Sequence, residues 1–255
     1  ATAVVEDNED GTYTGTYTPI NAGTDNVAIT LNGTAISGSP YTSQVDPGPP
    51  SATTSVATVP GGQAGSVTSI TVQARDANDN DLTTGGATVT VTVSGDNPEG
   101  ALAVNDEGDG TYTASYTPTV AGTDNVAITL GGTAISGSPY TSAVDPDVVD
   151  GANSTATVPD GQVGVATNIT VQARDQYGND LTTGGAVVVV NVTGANNEGD
   201  LAVNDEGDGT YTASYTPGAD GDDTVTITVA GEAVIGSPFT SNVALAQLLQ
   251  PTPPT

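Results

Sequence analysis

The sequence predicts an all-β chain of tandem two-sheet antiparallel sandwiches in a rod-like array. Three observations carry this. First, the stretch Asp109-Gly110-Thr111-Tyr112-Thr113-Ala114-Ser115-Tyr116-Thr117-Pro118 recurs from Asp208 to Pro217, and from Asp10 to Pro19 with Gly15 in place of Ala114. Tyr13, Tyr112 and Tyr211 are 99 residues apart, and Gly-Ser-Pro returns at Gly38, Gly137 and Gly236 with the same period. A fixed period without insertion marks an array of like modules, and about 100 residues is the size of an independent domain. Second, Val, Thr and Ile alternate with polar residues at period two, which suits half-buried strands. Third, Gly, Asp, Asn and Pro clusters punctuate those runs, and no apolar stripe of helical period is long enough to matter.

Taken in order, residues 1–46 align with residues 100–145 and so correspond to the C-terminal half of a repeat. They hold an acidic turn, the tyrosine strand, a strand from Asn26 to Leu31 and a last strand after Pro40. A half-sandwich is expected to expose its inner face unless other strands cover it, from the same array or by β-augmentation. Residues 47–145 are a complete repeat, entered through the stiff linker Asp46-Pro47-Gly48-Pro49-Pro50. Its inward candidates are Ile70, Val72 and Ala74, then Val89, Val91 and Val93, then Tyr112, Ala114 and Tyr116, then Val126, Ile128 and Leu130. About seven strands separated by turns give a sandwich. Residues 146–244 repeat the pattern, with Phe239 for the last tyrosine, and the run Val187-Val188-Val189-Val190 predicts burial on both faces. Residues 245–255 read as a Pro-rich tail or linker.

Composition narrows the function. There are 30 acids against two cations, a formal charge of −28, and no Lys, His, Cys, Met or Trp among the residue types. Without His, Cys or Lys there is no Ser-His-Asp or Cys-His nucleophile, no Schiff-base lysine and no P-loop, so an enzyme is not expected. A phosphate backbone requires cations opposite it, which excludes nucleic acid as a partner. No apolar run is long enough for a transmembrane helix, and membrane insertion is not expected. The acidity has three readings: solubility in concentrated salt, divalent-cation binding by oxygen ligands, or an extracellular spacer kept from sticking to itself. The near absence of cations favours the first, a saline or marine setting.

Asp-Gly-Thr-Tyr-x-x-x-Tyr-x-Pro, a Gly some four residues on, and Gly-Ser-Pro before a strand opening with Tyr or Phe together resemble the filamin-type immunoglobulin-like repeat. Asp175-Gln176-Tyr177-Gly178-Asn179 resembles a turn of related modules in bacterial surface proteins. The resemblance covers residues 51–244 and the half repeat before them. It implies tandem immunoglobulin-like antiparallel sandwiches that serve as spacers, mechanical rods or protein-binding modules, some taking partner peptides along a sheet edge, and it carries over no catalytic residue. The acidity and lack of Lys set this chain apart from the cytoskeletal members.

Several residues invite a sharper reading. Tyr112 and Tyr116 share a face and are expected to pack in the core with their hydroxyls on backbone groups, rather than to stack on sugars. Asp106, Asp109, Asp205 and Asp208 in the acidic turns, with the linker acids Asp145, Asp147 and Asp150, are weak calcium candidates. The segment from Asn105 fails as an EF-hand loop because its twelfth position is Tyr116, not Glu. Asp76-Ala77-Asn78-Asp79-Asn80 resembles a cadherin linker motif, but its counterpart Asp175–Asn179 does not keep the pattern, which makes the likeness fortuitous. Arg75 and Arg174 hold equivalent positions, either as local ion pairs of little energetic weight or as contacts to a neighbouring repeat or chain. Asn32, Asn153, Asn168 and Asn191 head N-glycosylation patterns.

These features predict a non-catalytic extracellular spacer or stalk of a large repetitive surface adhesin, whose partners are neighbouring repeats of the same chain. The alternatives are a subunit of a self-assembling extracellular filament, in which identical chains pack laterally, and a glycan- or peptide-binding module.

Overall fold

A computed structural model describes residues 3–246. The expected tail therefore lies largely outside the described residues. Strands and turns make up the described chain, with no helix among those residues. Two compact units divide it. One comprises residues up to Pro60 with Thr68–Tyr116 and Thr123–Ser142, and the other comprises Gly61–Val67, Thr117–Gly122 and everything from Ala143 on. The boundary is not the linker. Three short segments of residues 47–145 belong to the same compact unit as residues 146–246.

Residues 146–244 form a two-sheet sandwich. One sheet runs in the order Val149–Thr157, Thr167–Asp175, Thr210–Tyr215, Val203–Asp205. The other runs Gly161–Gln162, Phe239–Ala244, Gly221–Val229, Val188–Gly194, Gly199–Asp200, with Glu232–Ala233 also on Gly221–Val229. All pairings are antiparallel except Gly161–Gln162 with Phe239–Ala244. Register follows the alternation: Tyr211 faces Val171 and Ala213 faces Ile169, so both strands turn their large groups to the same side. Ile169, Val171, Val190, Val192, Val225 and Ile227 are essentially inaccessible to solvent. Residues 47–145 repeat the same sheet orders, around Ile70, Val72, Val91, Tyr112, Val126 and Ile128.

The recurring motifs have local causes. Asp109 Oδ1 accepts hydrogen bonds from Thr111 N (3.0 Å) and Thr111 Oγ1 (2.5 Å), which closes the turn before the tyrosine strand. Gly110 has φ +90°, and a Cβ there would lie 2.0 Å from Leu82 O, so no other residue fits. In Gly-Ser-Pro the serine acts as a cap: Ser39, Ser138 and Ser237 Oγ accept the amides of Ile29, Ile128 and Ile227 at 2.8, 2.8 and 3.0 Å.

The half repeat keeps its local pairings, Val4–Asp7 with Tyr13–Thr16 and Gly23–Val27 with Tyr41–Val45. Its inner face is open, as expected. Tyr13 is 58% exposed against 1% for Tyr112.

One expectation fails. Val187–Val190 is not buried on both faces: Val190 is inaccessible while Val187 is 70% exposed. The strand lies in one sheet of a two-layer sandwich, so only alternate residues meet the other sheet, and Val187 and Val189 stand on the outer face.

Candidate functional site, the joint between repeats

Asp76 and Asp175 end the strands Thr68–Asp76 and Thr167–Asp175 and are 2% and 0% exposed. A buried carboxylate requires donors, and each has four. Asp76 Oδ1 accepts from Asn78 N (2.8 Å) and Asn80 N (3.0 Å), and Oδ2 from Gly48 N (2.8 Å) and Asn80 Nδ2 (2.8 Å). Asp175 repeats this with Tyr177 N (2.9 Å), Asn179 N (2.9 Å), Asp147 N (2.9 Å) and Asn179 Nδ2 (2.8 Å). One carboxylate thus closes its own turn and holds the linker that enters its repeat. The Asn80 side-chain amide, then the Gly48 amide, lower Asp76 to about 2, against burial. Burial pushes Asp175 up, but Asn179, Asp147 and Tyr177 together hold it below the ordinary carboxylate value.

The asparagines extend the contact to the repeat before. Asn80 Oδ1 accepts Ala22 N (2.9 Å) and its Nδ2 donates to Ile20 O (2.7 Å). Asn179 does the same with Ala121 N (2.9 Å) and Thr119 O (2.9 Å). A donor and an acceptor on one backbone segment meet an acceptor and a donor on one side chain. The second joint has more. Gln63 Nε2 and Gln176 Nε2 donate to the two oxygens of Asp147 at 3.3 and 2.9 Å. The Tyr177 hydroxyl lies 2.2 Å from where a Cβ on Gly65 would be, so glycine alone admits the ring.

A buried polar cluster frames the segment that receives the asparagine. In the last repeat Asp223, fully buried, accepts Tyr215 OH (2.9 Å), Asn196 N (2.7 Å) and Asn196 Nδ2 (3.1 Å to Oδ2). Asn196 Oδ1 in turn accepts Gly218 N and Ala219 N at 2.8 and 2.9 Å. Asp124, Tyr116 and Asn97 form the same arrangement. Burial raises both tyrosine hydroxyls above their ordinary value, with the neighbouring carboxylate adding to the rise. Tyr112 OH accepts Ala87 N (2.9 Å), a backbone partner as expected, whereas Tyr116 reaches a side chain instead.

The residues singled out in the sequence make local contacts, and the arginines take the first of their two expected roles. Arg75 and Arg174 pair through Nε with Asp81 and Asp180 at 2.6 Å, six residues on in the same turn, both partners partly exposed. Asp106 and Asp205 bind Gly86 N and Gly185 N at 2.7 Å, and Asp109 and Asp208 bind Thr111 and Thr210. Asp150 holds Asn153, Asp147 holds the two glutamines, and Asp145 lends its carbonyl to Ala64 N. Among the described residues, no three His, Cys, Asp or Glu group as metal ligands would. Asp76, Asn80, Asp175 and Asn179 carry the joint, a role that neither the cadherin likeness of Asp76–Asn80 nor the bacterial-module resemblance of Asp175–Asn179 assigned to them. Their signal was present: across the 99-residue offset the first and fifth positions of the turn are kept while the three between change.

Comparison with known proteins agrees with this architecture. The model of the Filamin/ABP280 repeat matches residues 1–42, 49–141 and 148–240. The sequence is 32% identical over 241 residues to filamin-C of Rattus norvegicus, covering 92% of this chain, which spans only 8% of that protein's length. Filamin-A of Drosophila melanogaster is 32% identical over 143 residues, 54% of this chain and 6% of that protein. Among solved structures, the Escherichia coli adhesin FdeC is similar with a TM-score of 0.57 and 25% identity, over 95% of this chain and 81% of that one. The bacterial integrin-binding protein invasin shares the fold at a TM-score of 0.56 and 20% identity, over 80% and 43% of the two chains. With three matched blocks that take in most of its length, the chain belongs to the Filamin/ABP280 repeat family.

Proposed function

We propose that this chain is a structural, non-catalytic stalk segment of a large extracellular surface adhesin. The joint carries this reading. At a 99-residue interval the same aspartate ties linker to turn, and the same asparagine ties turn to the preceding segment. A spacer needs such a joint at every step, because free linkers let an array collapse on itself. The likeness to FdeC over 95% of the chain supports a place at a cell surface. The charge of −28 keeps neighbouring stalks apart.

The test is solution mass by light scattering in low salt, in concentrated sodium chloride, and with calcium or a chelator. A stalk segment stays monomeric throughout. Defined multiples that vanish on replacing Arg75 and Arg174 would replace this reading with a self-assembling filament. Multiples lost only with chelator would make the acidic turns a metal site.

A further inference from the structure

The segment that receives the asparagine occurs three times but is not the same three times. It reads Pro19-Ile20-Asn21-Ala22, Pro118-Thr119-Val120-Ala121 and Pro217-Gly218-Ala219-Asp220. The first two are occupied, by Asn80 and Asn179. In the third, aspartate stands where the others have alanine. The linker changes with it. Asp46-Pro47-Gly48 and Asp145-Pro146-Asp147 each present the amide that the buried aspartate accepts, whereas the third copy reads Ala244-Leu245-Ala246.

Position 121 is a sensitive place for a carboxylate. Ala121 lines a groove of about 350 Å³ with Asp145, Pro146, Asn179 and Asp180. Two of these lining residues are acids, Asp145 and Asp180. The nearby cation, Arg174, is held by Asp180 through Nε. Every turn of this type brings its own acids, Asp76, Asp79 and Asp81 or Asp175 and Asp180. A further carboxylate at the receiving position adds like charge beside Asp145 and Asp180, and like charges juxtaposed across a contact cost free energy.

We propose that the residue at positions 22, 121 and 220 sets the specificity of the joint. Alanine admits an Asp-x-x-x-Asn-Asp turn, and aspartate refuses it. The Asp220 end of residues 146–244 is therefore closed to a turn of the kind that Asn80 and Asn179 belong to. The proposal rests on the geometry of the joint and not on the stalk reading, which stands or falls by solution mass.

Because the chain has no cysteine, the joint can be read with spin labels on Ser66→Cys and Ser214→Cys, both positions exposed and both within one compact unit. Pulsed electron paramagnetic resonance then gives the distance distribution between them. The otherwise unaltered chain should give one narrow distribution, and Asn179→Ala sets the width of an open joint. Ala121→Asp should reach that width, at least twice the starting one, while the neutral, near-isosteric Ala121→Asn stays narrow. A narrow distribution in Ala121→Asp overturns the proposal. Equal broadening by Ala121→Asn overturns it too, since bulk and not charge would then close the joint. A broad distribution in the starting chain removes its premise. Aspartate already occupies this loop position in a folded repeat, at Asp220. Ala22→Asp carries the test to the first joint, where no closed sandwich is at stake. There, exchange of the Asn80 side-chain amide protons should quicken at least tenfold, and unchanged exchange counts against the proposal.

Discussion

Asn179 divides its side-chain amide between its own turn and the repeat before it. Nδ2 donates to Asp175 at 2.8 Å and to Thr119 O at 2.9 Å, while Oδ1 accepts Ala121 N. Asn179→Asp keeps the shape and turns the donor into an acceptor that faces two acceptors. Asn179→Ala only removes the bonds. We expect the aspartate variant to be worse, opening the joint by about 1–3 kcal/mol, the usual cost of an unsatisfied group at a buried partner. Amide exchange at Ala121 checks this, and equal protection in the two variants would contradict it.

The joint should fail in acid before the sandwiches do. A carboxyl with a depressed folded value stabilises the folded form above its ordinary value of 3.8, and that contribution is lost as pH falls toward about 2 for Asp76. Asp175 is shifted in the same direction. Protection of the Gly48 and Asp147 amides should therefore hold at pH 5 and vanish through this window, with Val91 and Val190 still protected. The Asp76 and Asp175 bonds are carboxylate to N–H, and neither calcium nor chelator should move them at neutral pH. A midpoint above pH 5 would refute the assignment.

Tyr116→Phe and Tyr215→Phe each remove one donor from a buried carboxylate, Asp124 or Asp223. Each variant should lose about 1–3 kcal/mol in urea unfolding. A change near zero would mean that Asn97 and Asn196 alone satisfy the carboxylates.

Arg75→Gln and Arg174→Gln remove partly exposed ion pairs. The expected loss is about 0–1 kcal/mol, read by thermal unfolding, with the solution mass unchanged. A change in mass would give these arginines the contact between chains that their equivalent positions first suggested.

Val187→Thr, on the outer face, should shift stability by no more than about 0.5 kcal/mol. Ile227→Ala, in the core at 0% exposure, should cost about 2–5 kcal/mol. Denaturant midpoints of the two variants report directly which face of each strand is inside.

Much of the fold was legible because it is written locally. The alternation at Ile70, Val72 and Ala74 places all three on the core side, and the 99-residue period identified the repeats without any contact being known. The run Val187–Val190 misled because four valines in a row carry no alternation. Which of them are inside depends on there being one covering sheet and not two.

The candidate site was much less legible. Asp76 and Asn80 act through backbone groups of Gly48, Ile20 and Ala22, the last two some 60 residues away. Any residue supplies a backbone N–H or C=O, so the receiving segment leaves almost no mark in the sequence. The mark it does leave is Ala22 and Ala121 against Asp220, and it acquires meaning only beside the turn. By itself the sequence determined the all-β class, the repeat and the inward face of most strands, because periodicity along a strand is a property of neighbouring residues. Only the tertiary structure decided that Asp76 and Asp175 are buried anchors and not solvated turn acids. A carboxylate's role is set by the donors folded around it, and here those donors come from the linker and the turn together.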